Sequence, residues 1–248
     1  MIRIVTLFCV IWLFTENTLS AQRLIFEYDT AKIIRLDSTF NSSEKSEMRI
    51  YFDRLHKKIS QKMSVNIGKS KEKMSSDLPE RALSNFLTDK LYEYGDAYLM
   101  KQKGKHADMS LLNKGGIRTH FPKGDITVGN VFETLPFDNT VVIIALKGYE
   151  LEKILLKIDL KNGHPLSRVE MSLDSVILVN GKQIEKERVY HLVTVDFIML
   201  NGDDIISENV KYENFYNTKK LFRNVIIEQI KQITKEGKLV ENVINEKK

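Results

Sequence analysis

Apolar residues recur at helical spacing in four long stretches of the chain, which predicts amphipathic helices there. The first stretch ends at residue 63 and has apolar positions at Met48, Tyr51, Phe52, Leu55, Ile59 and Met63. The second begins near Pro79, which the first turn of a helix tolerates, and is expected to end at Gly95. The other two are predicted over residues 149–158 and, as a terminal helix, over residues 219–235. A shorter helix is expected over residues 128–132.

Strands are predicted where short apolar runs are bounded by turn residues. Residues 140–146 are apolar almost throughout, as in a strand that is buried on both faces. Asn180-Gly181 separates two short runs and predicts a hairpin with a type I′ turn. Further strands are expected over residues 23–28, 32–36, 65–67, 107–112 and 189–195. This mixture predicts an α/β class of fold, an α+β mixed sheet with flanking helices.

The N-terminal residues have the layout of a signal peptide, which we place at residues 1–21. Arg3 precedes a largely apolar run over residues 4–14, and the small residues Ser20 and Ala21 follow. The run is shorter than the roughly 20 residues that span a bilayer. We therefore predict an exported protein, periplasmic or extracellular, with no membrane span. Residues 22–248 contain no repeat and no Pro/Gly/Ser-rich linker, which predicts a single domain.

The composition narrows the choice of ligand. The formal charge of +5 weakly favours anionic ligands, but there is no arginine-rich stripe with interleaved aromatic residues, so we expect no nucleic acid polymer as a partner. The five histidines have no metal-ligand spacing, and no Ser or Cys lies in a nucleophile elbow. We therefore expect no catalytic residues, no bound metal and no cofactor in this chain.

A binding site is indicated between residues 108 and 139. Asn113 ends a predicted strand, and Gly115, Gly116 and Arg118 follow it. Paired glycines let the backbone approach a ligand closely, and an arginine offers a forked cation to a phosphate or carboxylate. Taken by themselves, these residues fit a glycine turn with a surface arginine as well. Phe137, a little further on, fits a core position equally.

Three blocks of sequence occur in a recognisable order. The upstream block is Glu80-x-x-Leu83-Ser84-Asn85-Phe86-x-x-Asp89, the central block is Asn113-Lys114-Gly115-Gly116-Ile117-Arg118 with Gly124-Asp125-Ile126-Thr127 and Pro136-Phe137, and the late block is Val193-Thr194-Val195-Asp196-Phe197 with Asn201-Gly202-Asp203-Asp204-Ile205. Together they resemble the C-terminal, substrate-binding domain of the 5'-nucleotidase family. The resemblance covers most of the chain from about Ile59 and implies that family's domain fold.

The resemblance also implies a nucleotide or nucleoside ligand and a role for six residues. Asn113 is expected to contact the base, Arg118 the phosphate, and Phe137 to stack on the base. Gly115 and Gly116 are expected to let the backbone approach the ligand. An acidic residue of the late block suits the ribose hydroxyls, and of Asp203, Asp204 and Glu208 we prefer Asp203.

The sequence departs from the family's pattern at several positions. The second stacking position falls on Ile205, which is not aromatic, while Phe197 is expected to pack in the core. Asp77 stands near the place where the family has an arginine for phosphate. Asp204 adds a further negative charge, and Ser84 replaces a glycine.

Full-length members of the family carry an N-terminal metallophosphoesterase domain, and its combination of Asp-x-His, Gly-Asp and Asn-His-Glu motifs does not occur here. The resemblance therefore implies the substrate-binding half of a split phosphohydrolase of nucleotide catabolism, which is inactive alone. A separate metallophosphoesterase chain would hold the divalent metals. Two alternatives remain open: a non-catalytic nucleoside-binding or interaction module, and a scaffold without a ligand.

Overall fold

The computed structural model describes residues 47–77, 81–158, 163–171 and 176–241. From Met48 onward these residues form one compact unit. The predicted signal peptide, the two strands predicted before residue 40 and Pro79 lie outside the described residues. The export signal and the single domain over residues 22–248 therefore stay predictions.

The described residues form both helices and strands. The helices are α1 (Glu47–Met63), α2 (Ala82–Lys103), α3 (Val128–Thr134), α4 (Gly148–Lys157), α5 (Asp196–Met199) and α6 (Phe222–Lys235). The strands are β1 (Asn66–Ser70), β2 (Met109–Leu111), β3 (Gly124–Thr127), β4 (Thr140–Lys147), β5 (Leu166–Ser167), β6 (Val169–Met171), β7 (Ile177–Val179), β8 (Lys182–Gln183), β9 (Val189–Val195) and β10 (Asn214–Leu221). The predicted class, a mixed sheet with flanking helices, is confirmed.

The central sheet has five strands in the order β10-β4-β9-β2-β5. β4 is antiparallel to both of its neighbours, whereas β9 and β2 run parallel, with Met109 opposite Leu192. All of the side chains from Val141 to Leu146 in β4 are buried, as its apolar run predicted. α2 and α4 pack against strands of this sheet, and α2 also packs against α6. Because β2 and β9 are parallel neighbours, the loops after them leave the same edge of the sheet.

Gly95 does not end the second helix, as we had predicted from its breaker character. α2 continues to Lys103, and Gly104 caps it in the left-handed conformation at φ 64°. Gly95 is buried inside the helix, where a Cβ would lie 2.4 Å from Cγ1 of Val193 in β9. The glycine is there because it lets the helix approach the sheet closely.

The C-terminal helix begins later than predicted. Lys219–Leu221 belong to β10, a strand that the periodicity did not predict, and α6 begins at Phe222. β10 alternates between exposed and partly buried positions and pairs with one edge of β4. The hairpin around Asn180-Gly181 is confirmed, since both residues have the positive φ angles (52° and 73°) that a type I′ turn requires.

Candidate functional site

The predicted site lies at the edge of the central sheet where β2 and β9 end. Asn113 follows β2, and Asp203 follows β9 after the short helix α5. Thr194 Oγ1 donates to the carbonyl oxygen of Leu111 at 2.9 Å and joins the ends of the two strands. Parallel neighbours therefore bring together two loops that are 90 residues apart in sequence. Ligand sites commonly form at this end of parallel strands.

Asn113 is the buried anchor of the site, with only 6% of its surface exposed. Its Nδ2 donates to Oδ2 of Asp203 at 2.7 Å. Gly116 makes room for this side chain, because a Cβ there would lie 2.7 Å from Oδ1 of Asn113. A Cβ on Gly115 would lie 3.5 Å from Oδ2 of Asp203. The glycine pair therefore packs against the two polar side chains that the sequence predicted as ligand contacts.

Arg118 links this pair to Phe137. Its Nη1 donates to the carbonyl oxygen of Gly115 at 3.0 Å, and its guanidinium carbon lies 5.9 Å from the centroid of the Phe137 ring. The ring is 48% exposed, so the core position that we had left open for Phe137 is wrong. All six predicted residues thus belong to one continuous set of contacts.

Arg223, which the sequence analysis did not single out, holds the loop that carries Phe137. This arginine is 8% exposed, and its Nη1 donates to the carbonyl oxygens of Leu135 and Phe137 at 3.2 and 3.4 Å. It also forms an ion pair with Asp138. Its guanidinium carbon stands 4.2 Å from the centroid of the Phe132 ring. A residue of α6 therefore fixes the backbone on which the exposed ring of Phe137 is mounted.

A cleft of about 540 Å³ lies beside Gly115. Its lining combines two cations, one acid, hydroxyl groups and a histidine: Ser75, Ser76, Asp77, Lys114, Gly115, Ile117, Arg118, Thr119 and His120. Asp77 accepts a hydrogen bond from Ser75 Oγ at 2.6 Å. The acid that departs from the family's pattern therefore lines the same cleft as Arg118 and reduces its positive charge.

The late loop holds Asp203 in a strained backbone. Asn201, Asp203 and Asp204 all have positive φ angles (67°, 55° and 51°), a conformation that costs a non-glycine residue about 1–2 kcal/mol. Asp204 does not leave its charge unpaired, because Lys157 Nζ lies 2.8 Å from its Oδ1. Strain of this kind persists only where the surrounding contacts hold the loop.

Two hydrophobic residues of this loop region are placed differently from the prediction. Phe197 was expected in the core, but it is 40% exposed, and its ring packs against Gly202, where a Cβ would lie 2.4 Å from Cε1. Ile205 is 4% exposed and belongs to the core. The position that corresponds to the family's second ring is therefore turned into the protein.

His164 lies at the site although its sequence context gave no indication of it. The backbone N–H of Lys114 donates to its Nδ1 at 3.4 Å. Burial lowers the pKa of His164 below the usual 6.5, an effect that the nearby carboxylate of Asp203 opposes and the Lys114 cation reinforces. The neutral ring, which can accept this hydrogen bond, is accordingly favoured near neutral pH.

The side chains of the described ranges do not fit a metal centre. His106 contacts Asp96 at 3.0 Å, and His191 lies 3.8 Å from Asp108, which also forms an ion pair with Arg188. No cluster of three or more His, Cys, Asp or Glu side chains in the described part could hold a metal ion. In the same residues, every helix is too short or too polar to cross a membrane.

The chain is similar to known proteins over most of the unit described above. The sequence profile of the family described as "5'-nucleotidase, C-terminal domain" matches residues 66–208. Protein UshA of Yersinia enterocolitica is 30% identical over 150 residues, which are 57% of this chain and 26% of UshA. The 5'-nucleotidase of Vibrio cholerae is 25% identical over 179 residues, 68% of this chain and 31% of that enzyme. The chain thus spans about a third or less of the length of these relatives.

Solved structures share the fold. A 5'-nucleotidase precursor from Thermus thermophilus superposes with a TM-score of 0.59 at 24% identity, over 79% of this chain and 41% of that chain. A putative 5'-nucleotidase from Staphylococcus aureus gives a TM-score of 0.57 at 15% identity, over 84% of this chain and 43% of that chain. The backbone arrangement of the described residues is therefore one that these proteins also have.

Proposed function

The chain belongs to the 5'-nucleotidase C-terminal domain family, and from this premise we propose that it binds a nucleotide or nucleoside and presents it to a separate metallophosphoesterase chain. In this proposal it is the substrate-binding half of a split phosphohydrolase of nucleotide catabolism. It works outside the cytoplasm, in a periplasm or an extracellular space, as the predicted signal peptide implies.

The observation that carries the proposal is the continuous set of contacts among Asn113, Gly115, Gly116, Arg118, Phe137 and Asp203. The set combines three kinds of surface within a short distance: a neutral and an acidic hydrogen-bonding group, an arginine fork, and an exposed aromatic face. The hydrogen-bonding groups can recognise the edge of a base and the ribose, and the arginine can recognise a phosphate. The aromatic face can stack on the plane of a base.

Each part of a nucleotide has a group of matching chemistry. The guanidinium of Arg118 and the ammonium of Lys114 line one cleft and would bind a phosphate. A base would stack on the ring of Phe137, next to the same arginine. The ribose hydroxyls would donate to Asp203, whose carboxylate is held at its position by Asn113. Ligand entry therefore requires Asn113 and Asp203 to share or exchange the hydrogen bond that they make with each other.

Catalysis is assigned to the partner. The reaction that the family performs on phosphate esters uses metal-activated water, and the described donor groups do not fit such a centre. We expect the divalent metals in the partner chain only. The role of this chain is to bind and orient the ester, and Arg118 holds the phosphate toward the surface that the partner covers.

A second candidate is a nucleoside-binding module without a catalytic partner. Asp77 lines the cleft with Arg118 and would repel a phosphate dianion. Ile205 is buried, so one stacking face is absent from the position where the family has a ring. Asp77 lowers the expected affinity for a nucleotide alone, whereas the missing ring lowers it for nucleotide and nucleoside alike.

Calorimetric titration of the predicted mature chain with AMP and with adenosine, without metal, distinguishes these functions. Tighter binding of AMP, followed by hydrolysis when a metallophosphoesterase chain is added, would support the split enzyme. Equal or tighter binding of adenosine would support the nucleoside-binding module. If a folded sample binds neither ligand, both proposals are wrong and the chain is a scaffold.

A further inference from the structure

Helix α1 presents large apolar side chains to solvent. Tyr51 is 59% exposed, Phe52 57% and Ile59 47%, and Leu55 is exposed as well. Helical geometry places these four residues within an arc of about 100° around the helix axis. A helix that formed only to cover the core of its own domain would bury this face. The face therefore fits an occupant outside the described residues.

The borders of this apolar face are cationic. The same geometry places Arg54 and Lys58 along one side of it, Arg49 beyond the other side, and Lys62 within the arc. Asp53 falls on the opposite surface of the helix. α1 has five basic residues (Arg49, Arg54, Lys57, Lys58 and Lys62) and two acidic ones (Glu47 and Asp53), a net charge of +3. All of the side chains from residue 49 to residue 62 are exposed. The occupant should therefore combine an apolar interior with a negatively charged surface.

We propose that α1 is a membrane-surface helix, which binds anionic phospholipid bilayers with its axis parallel to the bilayer plane. Such helices insert apolar and aromatic side chains at the level of the headgroups, while Lys and Arg at the borders contact lipid phosphates. The 17 residues of α1 form a rod about 25 Å long. It lies on the bilayer and does not cross it.

Charge distinguishes this occupant from a second copy of the chain. Pairing two copies through this face would bring together two helices that each carry a net positive charge, and the repulsion would oppose association. An anionic bilayer supplies the opposite charge over an extended surface, and each Lys or Arg near it adds to the attraction. The inference does not depend on the proposed ligand, because α1 lies outside the set of residues that would hold it.

Co-sedimentation with lipid vesicles tests the proposal. The probe is the predicted mature chain, residues 22–248, with vesicles of equal parts phosphatidylglycerol and phosphatidylcholine, and with vesicles of pure phosphatidylcholine. We expect binding to the anionic vesicles, weakened by added salt. The double variant Arg54→Glu/Lys58→Glu should reduce binding at least about tenfold. Phe52→Ser/Leu55→Ser, which keeps the charges, should reduce it by a similar factor.

The matched control is Lys231→Glu/Lys235→Glu, which makes the same change of charge on exposed positions of α6 and should bind as the wild type does. Circular dichroism of each variant shows whether the fold is retained. The proposal is overturned if the wild type does not bind anionic vesicles, or if the α6 control loses as much binding as the α1 variants. It is also overturned if the chain forms a dimer that Phe52→Ser/Leu55→Ser disrupts, since the occupant is then a second copy.

Discussion

Asn113 Nδ2 donates to Asp203 Oδ2 at 2.7 Å and joins the loop after β2 to the loop after β9. The hydrogen bond is made from a buried amide to an exposed carboxylate whose backbone is in the left-handed conformation. The strained loop is thereby held from one side by Asn113 and, through the ion pair of Asp204, from the other by Lys157. This arrangement places the acid where a ribose hydroxyl would be able to donate to it.

Replacement of the acid should affect nucleotide and nucleoside alike. Hydrogen bonds to charged groups are worth about 1.5–3 kcal/mol, so Asp203→Ala is expected to weaken both AMP and adenosine about tenfold to a hundredfold in calorimetric titration. Asp204→Ala is the matched control, because it removes a neighbouring carboxylate that is already paired with Lys157. If Asp204→Ala weakens binding as strongly, the assignment of Asp203 to the ribose is wrong.

Arg118 should decide between nucleotide and nucleoside. Loss of the guanidinium in Arg118→Ala is expected to weaken the binding of AMP by about tenfold to a hundredfold. The affinity for adenosine should stay within about twofold of that of the wild type. Lys123→Ala, at another exposed cation in the same region of sequence, should change neither. An equal loss for both ligands in the titrations would contradict a phosphate contact at Arg118.

Phe137 should contribute to binding and not to stability. Its ring is about half exposed, so Phe137→Leu is expected to change the free energy of unfolding by no more than about 0.5 kcal/mol. Stacking on an aromatic face is worth about 1–3 kcal/mol per base, so binding of adenosine should weaken about fivefold or more. Phe215→Leu removes an equally exposed ring on β10 and serves as the control. Denaturant titration measures the free energy of unfolding and calorimetry measures binding, so the two together would show whether a variant is unfolded.

Gly95 gives a prediction in which packing and helix propensity have opposite signs. In an exposed helix, Gly to Ala stabilises by about 1 kcal/mol. Here the added Cβ meets Val193, so we expect Gly95→Ala to destabilise by about 1–3 kcal/mol in denaturant unfolding. The double variant Gly95→Ala/Val193→Ala should cost less than the sum of the two single changes. Additive losses would show that the helix and the strand are not in contact at this point.

His164 should make stability depend on pH. Because its pKa in the folded protein is below the 6.5 of the unfolded chain, the unfolded state binds a proton first as the pH falls. The free energy of unfolding should therefore decrease as the pH is lowered from about 6.5, and this part of the decrease should be absent in His164→Gln. Thermal unfolding followed between about pH 7.5 and 5 checks this. Parallel curves for the two proteins would mean that His164 does not titrate differently on folding.

The sequence by itself determined the elements whose signal is local. The apolar run of β4 and the strand over residues 189–195 lie in the positions predicted, and so do α1 and α4 to within a residue or two. The motif around Asn113, Gly115, Gly116 and Arg118 was readable because its residues are close together in the chain. Its resemblance to a family also supplied Phe137 and Asp203, which no local pattern could have joined to it.

Only the tertiary structure decided the features that depend on a distant neighbour. The sequence predicts that a helix ends at Gly95. In the structure, Gly95 lies inside the helix and contacts a strand almost 100 residues away. Phe197 was expected in the core and is exposed beside Gly202, whereas Ile205, two residues after Asp203, is buried in the core. Arg223 and His164 reach the site from segments without any motif. Hydrophobic periodicity predicts which face of an element is buried, but not which residues that face contacts. The reason is that close packing occurs between segments that are far apart in the sequence.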